Sequence, residues 1–154
     1  MDITSLPFVA FLLASVLAVN AAGRAGKGGV MLLACNLIFI GSFARTIQSL
    51  APIGGFVLLG YLCLIAVEHG RRQRVAATAV VLVVGTFIYL KQYSIAGIFP
   101  DIPFVYVLIG VSYILFRIVH LLVDRYQGAI EGPISLVNYL NYILFFPSFI
   151  SGPI

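Results

Sequence analysis

Five apolar runs of 15 to 20 residues follow one another along this chain, at 3–22, 30–44, 53–67, 75–90 and 104–123, with short polar turns between them. That succession limits the fold more than any single residue does. A soluble core would have to hide every run, and a chain of 154 residues leaves too much of its surface outside for that. Composition agrees: 62% of the residues are hydrophobic and 9% charged, where a soluble domain carries about 25% charged residues. Lipid is the solvent that remains. A helix needs about 20 apolar residues to cross the hydrocarbon core, so the expected fold class is all-α, a polytopic transmembrane protein with about five spanning helices. No soluble catalytic domain fits.

The polar turns give an orientation. Asp2 precedes the first run and no Lys or Arg does, so the positive start of a signal peptide is missing and a retained span is expected. Odd turns carry Arg24, Lys27, Arg71, Arg72, Arg74 and Arg125, and even turns carry Arg45 and Lys91. Six cations against two place the odd turns in the cytoplasm and the N-terminus outside. The net charge of +4 is then a topology signal, and with no basic stripe nucleic acid is not an expected partner. Cys35 and Cys63 sit inside apolar runs, where a free thiol acts as a small hydrophobe.

A sixth stretch, 134–146, is too short to span. Its 13 residues reach about 20 Å as a helix, against about 30 Å of hydrocarbon. Pro147 stops it, and Ser148, Gly152 and Pro153 do not favour a regular helix. A short re-entrant or interfacial helix is expected here. If the irregular backbone after it lies at membrane depth, it needs protein or a wet cavity around it.

The fifth run holds the polar residues with the most to say. Tyr106, Tyr113, Arg117, His120 and Asp124 fall on one helical face, with Gly110 between the tyrosines. Leu108, Val111, Leu115, Ile118 and Leu122 fall opposite, a side suited to lipid. An arginine at the centre of a span costs about 2.5–3.5 kcal/mol on insertion scales, so Arg117 is expected to face a partner on another helix or a polar cavity. The stripe either borders a substrate path or is a set of ties between helices. On the short helix Ser135, Asn138 and Tyr142 repeat the same spacing beside Asn141, open to the same two readings.

Other motifs fail on inspection. The loop from Gly23 to Gly29 has Ala21 and Gly28 where a phosphate-binding loop needs Gly and Ser or Thr. His69 and His120 stand 51 positions apart with no metal-binding spacing, and no Ser, Cys or Asp completes a catalytic triad with either.

The last 45 residues nonetheless carry a string of specific elements. Gly110, Ser112 and Tyr113 open it, Phe116 and Arg117 follow, and Asp124 precedes Gly128 by four positions. Phe145, Phe146 and Pro147 come next, and then Gly152, Pro153 and Ile154. In order and spacing this resembles the membrane-bound O-acyltransferases, in particular the bacterial branch that acylates cell-envelope glycans, with its alginate acetylases and teichoic-acid D-alanyl transferases. The first 100 residues match that family only in their pattern of hydrophobic segments and a basic turn before the fourth.

The resemblance implies a helical enzyme of the bacterial cytoplasmic membrane with a central tunnel. It would move an acyl group from a cytosolic thioester, on coenzyme A or an acyl carrier protein, to a hydroxyl across the membrane. No bound cofactor is implied. Partners would be the bilayer, an acyl carrier protein or other envelope-biosynthesis proteins, and the family's C-terminal half. The family's catalytic His lies beyond its Gly-Pro-Ile segment, so the chain is expected to be an N-terminal portion, inactive alone, and neither His69 nor His120 takes that role. The candidate tunnel residues are Tyr113, Arg117, His120, Asp124, Asn138, Gly152 and Pro153. Two readings from other classes stand beside this one: a small non-enzymatic membrane subunit or scaffold, and a small transporter.

Overall fold

The computed structural model describes residues 6–43, 51–70, 72–90 and 111–147. Among them are six helices and no strands: α1 (Leu6–Gly23), α2 (Gly28–Phe43), α3 (Ala51–Gly70), α4 (Gln73–Leu90), α5 (Val111–Gln127) and α6 (Leu136–Ile143). They fall into two compact units, one of α1, α2 and α6 and one of α3, α4 and α5.

In the first unit α1 and α2 form an antiparallel hairpin. The turn between them closes through Gly26 N–H to the Gly23 carbonyl at 3.0 Å and Lys27 N–H to the Ala22 carbonyl at 2.9 Å. Gly26 takes φ of +71° there, a conformation that a side chain disfavours. Backbones meet closely at this end, since a Cβ on Gly28 would lie 3.2 Å from the Gly23 Cα. At the far end the apolar filling is aromatic. Phe39 stacks on Phe11 at 6.0 Å between centroids and meets Phe8 edge-on at 6.0 Å, while Phe146 comes within 5.1 Å of Phe39. Helix α6 packs on α2.

The second unit is a three-helix bundle. Helix α3 turns its buried residues inward at helical spacing (Phe56, Val57, Gly60, Cys63, Leu64 and Val67), and α4 contributes Ala76, Ala79, Val83 and Phe87. Small residues Gly60, Ala76 and Ala79 are among the buried positions of these two helices. Among the described residues, α3 and α4 are the two helices long and apolar enough to cross a membrane; at 20 and 18 residues they extend about 30 and 27 Å.

Several boundaries differ from the sequence expectation, each for a local reason. Helix α3 begins at Ala51 and takes in Pro52, which was expected to break the chain; the first helical turn has no N–H partner for proline to lose. It also runs on through Glu68 and His69, whose Nδ1–H donates to the Ile65 carbonyl at 2.9 Å. With α4 starting at Gln73, the two helices take up five of the seven residues, 68–74, that were expected to form a charged turn. Helix α5 continues four residues past 123 and stops at Gly128, which has φ of +77°. Helix α6 has eight residues in place of the expected 13. Ser135 caps it, accepting from Asn138 N–H, and Leu144 ends it well before Pro147.

Candidate functional site

Helix α5 separates two kinds of surface. Val111, Ile114, Leu115, Ile118, Leu121 and Leu122 are buried and form the face that packs on α3 and α4. This corrects the expectation that the row Val111, Leu115, Ile118 and Leu122 faces lipid: neighbouring helices cover it. Phe116, at 66% exposure, and Val123, at 37%, are apolar side chains that α5 turns outward.

Tyr113, Arg117, His120 and Asp124 form a separate stripe on α5, and the structure joins them in two pairs. Arg117 Nη2 donates to the Tyr113 hydroxyl at 2.9 Å, and its Cζ lies 4.4 Å from the centre of the same ring. A phenol one turn earlier thus gives the guanidinium both a hydrogen bond and a π face. His120 Nδ1 and Asp124 Oδ2 are 3.3 Å apart, with the imidazole side 68% exposed and the carboxylate side 28%. The two side chains are one helical turn apart, the i,i+4 spacing at which an exposed pair can meet. Arginine, for its part, presents planar N–H donors suited to a carboxylate, phosphate or carbonyl oxygen. The four residues lie within 12 consecutive positions, about 16 Å of helix.

The remaining expected site residues lie elsewhere. Asn138 is exposed on α6 in the first unit, where its backbone N–H meets the Ser135 hydroxyl at 3.3 Å. Gly152 and Pro153, together with Tyr106, Leu108 and Gly110, fall outside the described residues.

Two polar clusters escaped the sequence reading. In the second unit Arg125, expected in a cytoplasmic turn, is buried at 4% exposure. Its Nη2 lies 2.7 Å from Glu68 Oε1, and its Nη1 donates to the carbonyls of Ile130 at 2.8 Å and Gly132 at 2.7 Å. The pair brings the C-terminal ends of α3 and α5 together and ties down the loop after α5; the Arg125 Nε–H alone has no hydrogen-bond partner among the described residues. In the first unit Asn36 is fully buried on α2. Its Nδ2 donates to Asn141 Oδ1 at 3.2 Å, and its Oδ1 accepts the Phe146 N–H at 3.0 Å. Asn141 in turn donates to the Gly29 carbonyl at 2.8 Å. A lone asparagine in an apolar run was the available signal for this cluster. For Arg125 there was none, because the helix end that buries it was placed four residues too early.

Among the described residues no group of three or more His, Cys, Asp or Glu is placed to hold a metal ion. No known family, curated protein or solved structure matches the chain.

Proposed function

We propose that this chain is the N-terminal part of a membrane-bound O-acyltransferase of the bacterial cytoplasmic membrane, which passes an acyl group from a cytosolic thioester to a hydroxyl of a cell-envelope glycan. The observation that carries the reading is the ordered string from Gly110 to Gly128 followed by Phe145-Phe146-Pro147 and Gly152-Pro153-Ile154. Its described helical part falls on α5, and the string's Tyr113, Arg117 and Asp124 lie on the polar stripe of that helix. In this reading five helices span the bilayer with the N-terminus outside, α6 lies at the interface or re-enters, and the stripe borders the acyl path with Arg117 toward the thioester or acceptor oxygen.

The chemistry is an acyl transfer. The acceptor oxygen bonds to the acyl carbonyl carbon, the C–S bond breaks, and the proton lost by the hydroxyl ends on the departing thiol. A base must carry that proton, and in the resemblance it is a His from the family's later half. The test begins at the DNA. Sequence beyond codon 154 is expected to encode further apolar spans with a His between them, in frame or after a frameshift. Expression of that whole protein should add base-labile acyl esters to envelope glycans, and Arg117→Ala should lower them. Non-coding sequence, or ester levels indifferent to the locus, contradicts the proposal.

One observation favours a second reading, a non-enzymatic membrane subunit. Asn36 on α2 hydrogen-bonds Asn141 on α6, as an interhelical tie does, and the stripe residues pair within α5. A subunit of that kind should purify as a monodisperse species, whereas a portion of an enzyme should aggregate.

A further inference from the structure

We propose that the α3–α4 turn binds the phosphate of anionic lipid headgroups through Arg72 and Arg74. The inference rests on the membrane reading and adds a ligand to it. A connection of two residues between antiparallel helices ends both at the same depth, so the turn of a spanning hairpin lies at the polar boundary of the bilayer. Arg72 and Arg74 are exposed there, and neither forms an ion pair among the described residues.

The reason lies in what Glu68 does. It is the acid nearest this turn in sequence, and Arg125 holds it at 2.7 Å. Arg125 and Glu68 cancel each other inside the bundle, so Glu68 is not the counter-charge of Arg72 or Arg74. Exposed His69 flanks the turn, with Nδ1 committed to the Ile65 carbonyl.

The occupant is a lipid rather than a free anion because the two helices expose apolar side chains about 10–18 Å along their length from the cations, where acyl chains would lie. Leu62 and Leu58 on α3 are 55% and 56% exposed, and Val81 and Leu82 on α4 are 71% and 43% exposed. A ligand with a phosphate at the turn and acyl chains along these residues matches both chemistries. Each arginine near an anionic surface contributes about a fivefold preference.

The experiment uses the full chain in detergent with equimolar phosphatidylglycerol and phosphatidylcholine, and counts retained lipids by native mass spectrometry. Wild type is expected to retain phosphatidylglycerol severalfold over phosphatidylcholine, R72K/R74K to keep that preference, and R72Q/R74Q to lose most of it. No preference in the wild type, or one that R72Q/R74Q retains, overturns the proposal. So does displacement by inorganic phosphate beyond that by chloride of equal ionic strength, which would make the ligand a free anion. Alkaline carbonate extraction of the native membranes separates the two levels: a chain that washes out overturns the membrane reading itself, and one that stays leaves the lipid counts to decide the site.

Discussion

Arg125 shows how differently a charge behaves once a helix end is placed. As a turn residue it would be a solvated cation of little energetic weight. Buried against Glu68 and two carbonyls, it is a charge that cannot lose its partner cheaply. Removing one member of a buried pair costs about 3–5 kcal/mol. Arg125→Ala is therefore expected to lower stability by about that amount in a denaturant titration in micelles, whereas His120→Ala, at an exposed pair, should change it little. Asn36 gives the parallel case in the first unit. Asn36→Leu strands the Phe146 N–H and one Asn141 contact and is expected to cost about 2 kcal/mol. Asn138→Ala, exposed on α6, should stay within about 0.5 kcal/mol in the same titration.

At the level of elements, the loop after α5 depends on backbone conformation as well as on Arg125. Gly132 has φ of +78° and offers its carbonyl to the guanidinium. Gly132→Ala is expected to cost about 1–2 kcal/mol, the ordinary penalty for a side chain in the left-handed region, and to speed amide exchange across 128–132. The existence and order of the helices could be read from the apolar runs, because hydrophobicity over 15 or more residues is a strong signal. Their ends could not. Pro52, Glu68 and Asp124 look like stops in the sequence, yet each lies inside a helix that packing and pairing extend. The stripe of Tyr113, Arg117, His120 and Asp124 was legible from three- and four-residue spacing alone. Its pairing was not, since spacing says which residues share a face and leaves open which atoms meet. The lipid-facing assignment of Leu115 and Ile118 failed for a related reason: an apolar face fits lipid and a neighbouring helix equally well, and only tertiary packing chooses.

For the molecule as a whole, solvation by lipid is the premise on which both proposals depend. Val81 stands near the middle of α4 and is 71% exposed, a position that only an apolar surrounding suits when the helix spans. Val81→Lys should therefore weaken membrane insertion by about 3 kcal/mol, read as the inserted fraction in a glycosylation-mapped translation assay. The acyl-transfer reading asks more of the chain than the bilayer does, and it falls if the α3–α4 hairpin never enters the membrane. The most direct measurement is labelling of single cysteines by a membrane-impermeant maleimide from each side, with Cys35 and Cys63 first replaced by alanine. Ala51→Cys is expected to react from one side only, Arg72→Cys from the opposite side, and Val81→Cys from neither. Labelling of positions 51 and 72 from the same side, with position 81 reactive as well, would contradict it.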